Sequence, residues 1–449
     1  MRAVKAGFVG FGEINTPRDV VDQLSANAVS ELEKLGWEVY ATETVSDEAT
    51  YSEADRAIKD LKNKDFDLLV VCVTGWIPTH AVIRVTDKFR HIPMLLWGLT
   101  GWMEEGRLVT TAPQAGTSAL RQVMQGLGYC FRYVFSKVDE PVPAKAINAF
   151  GQAARTAVEL RDMRIGSMGY RDMLLYGTPA DILALRREIG IEVECFEMLE
   201  MVRTPIDKKD VDEIVDYCLK NWTFEKEFDH EILAQGARYY LSLKKKIQER
   251  GFDAITLLDV DGMKKLESFP PAMVFMLIAD LLKICTIPEN DIIGNATQLM
   301  VKTLTGQIAH YMEFYEYFDE TVLIGVPDFV PGAVVEGDIR LLPAKFGLLS
   351  ASLLNTSKVK DGPVTLMRLI EDHGRYTLHM ARGEAMQPRP WEEYGWDRPA
   401  PQLPSLEVKL EEPVNSFVDK IASQHTIIAY GDVTEEMTQL CKILKIRMI

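Results

Sequence analysis

Three short segments hold the residues best suited to chemistry. IPENDIIGNATQLM (287–300) sets Glu289, Asn290, Asp291 and Asn295 directly behind the apolar run AMVFMLIADLLKIC, and YMEFYEYFDE sets Glu313 among aromatic side chains. The third segment, QHTIIAYGD, carries His425. Pro288 followed by polar residues reads as a helix start, where acids are favoured by the positive end of the helix dipole. Glu313 ends the strand-like QIAHYM and reads either as an exposed acid or as a carboxylate shielded by Tyr311, Phe314 and Tyr315, a setting that shifts a carboxyl toward acid–base work. His425, taken alone, reads as a core or edge histidine. The other six histidines form no HxxxH or HxH pair, so no single stretch carries a metal signature.

Other chemistries find less support. No G-x-S-x-G elbow occurs, and Gly166-Ser167-Met168-Gly169 falls short of it. GFVGFGE (7–13) has the spacing G-x-x-G-x-G and no phosphate-loop lysine, so it reads as a glycine-lined turn after a first strand. The C-terminal ends of such strands are where ligands bind in parallel sheets, which makes Arg18 and the Thr74-Gly75-Trp76 loop candidate substrate contacts. Trp97 and Lys345 join them as sugar or anion contacts, with core packing and helix-end salt bridging as the competing readings.

Composition narrows the class. The 449 residues suit two to four domains at roughly 100–200 residues each. A net charge of −16, with no basic stripe to offset it, repels phosphate backbones, so nucleic acid is not an expected partner. No stretch has the apolar length of a membrane span. The N-terminus lacks a signal-peptide pattern and the six cysteines form no CxxC pair, so a cytoplasmic chain with buried thiols and no disulfide frame is expected.

Elements that could position these residues follow from hydrophobic period. KAGFVGFG, WEVYATETV, FDLLVVCV and IPMLLWGL read as strands separated by amphipathic helices, the first starting with Thr16 as cap and Pro17 at its first position. MRIGSMGY, IEVECFEM and FDAITLLDV repeat the pattern after a long helix, and Ala272–Cys285 reads as one buried helix. From TVLIGVPDF onward short alternating segments predict antiparallel strands, a Pro-rich link (387–413) and a last strand and helix capped by Asp432. The expected fold is α/β: two doubly wound, Rossmann-like parallel-sheet domains (1–160 and 161–317) followed by a mostly antiparallel β-barrel domain (318–449).

In this order and spacing the chain resembles the L-fucose isomerase and L-arabinose isomerase superfamily over nearly its whole length. INTPRDVVDQL is similar to the family's first loop and helix, with Arg18 at its arginine. PENDIIGNATQLMVKTLTG is similar to the C-E-G-D segment, with Glu289 at the metal-binding glutamate and Asp291 at the following aspartate. AHYMEFY matches the segment that ends in the second acidic ligand, Glu313, and His425 falls on the third ligand, ahead of the Y-G-D turn. The motif's cysteine is Pro288 here and its glycine Asn290, departures that mark where loop shape and substrate preference differ. The arabinose branch's extra histidine is replaced by Val326, which implies a three-ligand site of the fucose isomerase type.

The resemblance implies an aldose–ketose isomerase. Glu289, Glu313 and His425 would hold Mn²⁺, or Co²⁺ or Mg²⁺, Glu289 and Glu313 would also serve as the acid/base pair through a cis-enediolate, and Asp291 would orient a neighbouring ligand. It further implies a sugar substrate and a homo-oligomer, a trimer or hexamer. Two rivals stand beside it: an isomerase or epimerase of an anionic sugar, sulfonated or uronic, such as sulfoquinovose, and a non-catalytic sugar-binding protein.

Overall fold

The computed structural model describes residues 1–345, 351–389 and 403–449, with the side chains of 344, 345 and 351 outside that set. Most of the Pro-rich link therefore lies outside the described residues. The chain forms two compact units: Met1–Val158 with Glu435–Leu444, and Glu159–Thr434 with Lys445–Ile449.

In the first unit β1 (Lys5–Phe11), β2 (Glu38–Ala41), β3 (Leu68–Val73) and β4 (Met94–Gly98) precede a small hairpin of β5 (Trp102–Glu104) and β6 (Arg107–Val109), and β7 (Phe131–Phe135) follows. The parallel sheet runs β2-β1-β3-β4-β7. Strand β3, LLVVCV, is buried along its whole length because helices cover both sheet faces, which is why it reads as a continuous apolar run. One core, around Val71, Leu96 and Leu120, lies on one face; the other, around Phe8, Leu32 and Trp97, lies on the opposite face. Gly7 and Gly10 lie within β1 rather than in a turn after it, and a Cβ on Gly10 would come within 2.1 Å of Ser25 Oγ, so that glycine serves close helix–strand packing. The first helix is Arg18–Lys34, one residue later than expected, because Pro17 is extended (φ −52°, ψ 128°) and acts as the cap itself.

The second unit begins with β8 (Arg164–Met168), β9 (Glu192–Phe196), β10 (Thr223–Phe224), β11 (Ala254–Leu257) and β12 (Cys285–Ile287). It continues with β13 (His310–Tyr317), β14 (Thr321–Gly325), β15 (Arg340–Lys345), β16 (Ala351–Asn355), β17 (Gly362–Asp372) and β18 (Arg375–Met386). The last strands are β19 (Ser405–Leu410), β20 (His425–Tyr430) and β21 (Arg447–Met448). A parallel sheet is ordered β12-β11-β8-β9, and β10, β15 and β16 form a small sheet. The large sheet is ordered β17-β20-β13-β14-β19-β18-β21, antiparallel except for β21, and β17 also pairs with β18.

The Ala272–Cys285 run is not one helix. It forms the helix Ala272–Leu277, a widened turn Ile278–Leu282 and the first residue of β12. Lys283 adopts a left-handed conformation (φ 56°) that stops the helix, and Asp280 turns aside to accept the Gly332 amide at 2.8 Å. Among the described residues no helix is long and apolar enough to cross a membrane. All six cysteines are free thiols; Cys195 is exposed and Cys130 half-buried, so the expectation of burial fails for those two.

Candidate metal centre

The loop from β12 into the helix Ile292–Thr305 carries Glu289 and Asp291. Asp291 caps the helix, its Oδ1 accepting the Gly294 amide at 2.8 Å, so the helix-start reading holds for this acid. Glu289 and Asn290 are both left-handed, with φ of 63° and 49°. Glycine suits such a position best, and asparagine is among the few residues that tolerate it. Asn290 is tied down there: Nδ2 donates to Met168 O at 2.9 Å and to Tyr170 O, and Oδ1 accepts from Ser167 Oγ at 3.1 Å. Ser167 is thus a structural partner of the loop.

Glu313 and His425 reach the same place from the large sheet. In the β13–β20 register Glu313 stands directly opposite His425, and directly opposed residues of an antiparallel pair point their side chains to one face. His425 Nε2 lies 3.5 Å from Glu289 Oε2 and 3.6 Å from Glu313 Oε1. Candidate ligand atoms of the three residues all fall within 4.8 Å of one another.

The imidazole is fully buried, and Nε2 has no hydrogen-bond partner. Its other nitrogen, Nδ1, is 2.8 Å from Asp291 Oδ2, which fixes the ring orientation and aims Nε2 at the two glutamates. A buried nitrogen without a partner costs free energy unless something occupies the space before it. Two carboxylate oxygens and one imidazole nitrogen form a donor set that suits a Mn²⁺-like ion, so these residues fit the expected metal.

Asp291 is saturated by its surroundings. Arg368 on β17 grips it bidentately, Nη1 to Oδ2 at 2.5 Å and Nη2 to Oδ1 at 2.8 Å. Burial would raise its pKa, but the Arg368 charge and the His425 hydrogen bond hold it down at about 2. Burial likewise opposes a charge on His425, yet Asp291, Glu313 and Glu289 lift it to about 9 in the metal-free protein. Burial pushes Glu289 up to about 7, and the carboxylates of Asp259 and Glu313 add to that while His425 opposes it. Gln424 Nε2 donates to Glu289 Oε2 at 2.8 Å.

Arg368 and Gln424 were not among the residues singled out in the sequence. A signal for the first was present: an arginine inside the apolar run PVTLMRLI must find a buried acid. Of the four expected substrate contacts, Arg18, Trp76 and Trp97 belong to the first unit. Arg18 lines a cavity of about 410 Å³ in the first unit with Glu13, Glu48 and Glu53, and its guanidinium is bonded to Asp22, Glu53 and Thr44 O. Trp76 is 40% exposed in the same unit, whereas Trp97 is fully buried with Nε1 donating to Ser136 Oγ at 3.0 Å, a packing role. Lys345 ends β15, and its side chain lies outside the described residues.

Comparison with known proteins bears on the same region. Residues 351–449, which include Arg368 and His425, match the family described as L-fucose isomerase, C-terminal domain. The sulfoquinovose isomerases of Priestia megaterium (strain ATCC 12872 / QMB1551) and Priestia aryabhattai are each 20% identical over 422 residues, covering 87% of this chain and 86% of theirs. The L-arabinose isomerase of Nocardioides sp. (strain ATCC BAA-499 / JS614) is 23% identical over 281 residues, covering 58% of this chain and 55% of that protein. These matches bear out the resemblance carried by the sequence motifs.

Proposed function

We infer that this chain, an isomerase of the superfamily that holds L-fucose and L-arabinose isomerases, interconverts an aldose and a ketose with a bound divalent cation, Mn²⁺ or alternatively Co²⁺ or Mg²⁺. The observation that carries this reading is the orphaned His425 Nε2, aimed at Glu289 and Glu313 while Nδ1 is held by Asp291. Glu289, Glu313 and His425 are the proposed ligands. A bound cation would polarise the sugar carbonyl and make the neighbouring C–H acidic enough to ionise.

The remaining work falls to the chain's own groups. Glu289 is the carboxylate proposed to take a proton from the sugar carbon and return it to the adjacent carbon. Gln424 keeps Glu289 Oε2 engaged and so fixes which way the carboxylate turns. Glu313 supplies the second carboxylate of the acid/base pair, held by β13. Asp291 holds the His425 ring in one orientation and stays ionised itself, because Arg368 offsets its burial.

Substrate class divides two readings. The sulfoquinovose isomerases, which cover 87% of this chain, favour an anionic sugar over a neutral one. A panel of sulfoquinovose, L-fucose and L-arabinose with Mn²⁺ in D₂O, followed by NMR, tests both: the sugar that gains deuterium at C1 or C2 as it is converted names the class. Deuterium entering at C1 or C2 establishes proton transfer through an enediolate. Full retention of the substrate hydrogen is common to hydride transfer and to a base that returns its proton before exchange, and loss of turnover in Glu289→Gln then separates the two. Sugar binding without turnover favours the non-catalytic alternative. Metal content of Glu289→Gln, Glu313→Gln and His425→Ala completes the test, and unchanged metal and activity in all three sink the proposed site. We read the assembly as a homo-oligomer, trimer or hexamer, which light scattering on the purified protein measures.

A further inference from the structure

Behind the glutamates lies a buried ionic trio that the proposed chemistry does not use. Lys264 Nζ is 2.9 Å from Asp259 Oδ2 and 2.9 Å from Asp328 Oδ1, with relative exposures of 3%, 0% and 6% for Lys264, Asp259 and Asp328. Lys264 and Asp259 bound a widened helical turn, Asp259–Lys264, whose bonds from Met263 N to Leu258 O and Lys265 N to Val260 O each span five residues. Asp328 follows β14 on the opposite side of the trio.

Burying three charges is a poor way to gain stability, since apolar side chains of similar volume serve as well or better. What distinguishes this trio is where the second oxygen of each aspartate goes. Asp259 Oδ1 accepts the Glu289 amide at 2.7 Å, at the residue whose left-handed backbone must be held by its surroundings. Asp328 Oδ2 accepts the Tyr311 hydroxyl at 3.4 Å, and the Tyr311 ring meets His425 edge to face with centroids 4.9 Å apart. Tyr311 also lies two residues before Glu313 on β13, on the same face of the strand.

We propose that Lys264 is a positioning residue for the isomerase reaction, setting the spacing between the loop that carries Glu289 and the strand pair that carries Glu313 and His425. It does so through one aspartate on each side, and the inference rests on the metal site argued above. Arg368 plays the parallel part for Asp291 and His425, so one buried cation supports each limb of the cluster.

The test is calorimetric titration of metal-free protein with Mn²⁺ alone, comparing wild type with Lys264→Met. A second variant, Asp259→Asn/Lys264→Met/Asp328→Asn, removes all three charges together and leaves no carboxylate buried without its cation. Circular dichroism and melting establish that each variant folds. The expected result is a Mn²⁺ dissociation constant about 10- to 100-fold higher, the usual cost of losing a partner behind a ligand, together with a fall in kcat larger than any rise in KM. A folded variant that binds Mn²⁺ within about threefold of wild type overturns the proposal, since a merely structural trio would leave affinity untouched. Wild-type protein that takes up no Mn²⁺ overturns the site itself, and the role of Lys264 with it.

Discussion

Glu313 and His425 face each other across β13 and β20, with Oε1 and Nε2 3.6 Å apart and the strand register as the cause. Two of the three proposed ligands are therefore placed by sheet hydrogen bonds rather than by a mobile loop. A slip of one residue by either strand would turn its side chain to the opposite face from its partner's and destroy the cluster. Glu289, in contrast, comes from a strained turn and depends on neighbours to hold it.

The first prediction concerns Glu313→Gln, which keeps the shape and removes the charge. In the metal-free protein the repulsion between Glu289 and Glu313 is offset by the attraction of Glu313 to His425, so this variant is expected to melt close to the wild-type temperature without metal. Added Mn²⁺ stabilises wild type by about 2.7 kcal/mol at 100 times its dissociation constant; the variant should show little of that gain and at least ~100-fold lower turnover, the range of a lost acid–base group. Melting curves with and without Mn²⁺ measure both, and an undiminished metal shift in the variant refutes Glu313 as a ligand.

A second prediction separates Arg368 from Asp291. Arg368→Met leaves a fully buried carboxylate without its cation, which costs roughly 3–5 kcal/mol. Asp291→Asn keeps the helix cap and loses the negative charge facing His425, so metal affinity should fall about 10- to 100-fold. Urea unfolding measures the first effect and Mn²⁺ titration the second. A loss of stability under ~1 kcal/mol in Arg368→Met would show that Asp291 is not held as a buried ion.

Acid sensitivity gives the third prediction. His310 is buried with neither ring nitrogen bonded, and burial lowers its pKa to about 4. The unfolded chain binds its proton near pH 6.5 and the folded chain does not, so stability is intact above 6.5 and falls as pH drops toward 4. The loss approaches about 3 kcal/mol at the lower end of that window. Asp291, lowered to about 2, adds a further loss only below about pH 4, as the unfolded chain takes up its proton first. His310→Phe keeps an aromatic ring beside Tyr430 and should flatten the stability profile between pH 6.5 and 4. Denaturant unfolding across that range checks it; an identical slope in the variant assigns the acid loss to other groups.

What the sequence made legible follows from whether the cause is local. FDLLVVCV announces a buried parallel strand because its surroundings are apolar on both sides. The buried-helix reading of Ala272–Cys285 failed because hydrophobic period cannot see the left-handed turn at Lys283 or the pull of Gly332 on Asp280. Glu289, Glu313 and His425 were each ambiguous in isolation, and only their order along the chain joined them. Their meeting depends on the β13–β20 register, a pairing of distant segments that no short window contains. Arg368, Gln424 and Lys264 were missed because each acts through a partner far along the chain.

The last prediction uses proton and metal as competitors for one atom. In the metal-free protein His425 is held up to about 9 by Asp291 and the two glutamates, so at pH 7.5 it carries a proton. A ligand nitrogen must be deprotonated, so Mn²⁺ binding there should release about one proton, plus a fraction from Glu289 near its pKa of about 7. Apparent Mn²⁺ affinity should accordingly rise with pH between 6.5 and 8, approaching tenfold per unit for one proton displaced. Calorimetry at pH 7.5 in buffers of different ionisation enthalpy counts the protons directly. The count should drop by about one in His425→Ala, which has no imidazole proton to lose. A release near zero in wild type, with Mn²⁺ affinity unchanged in His425→Ala, would place the metal on the carboxylates alone and remove His425 from the site.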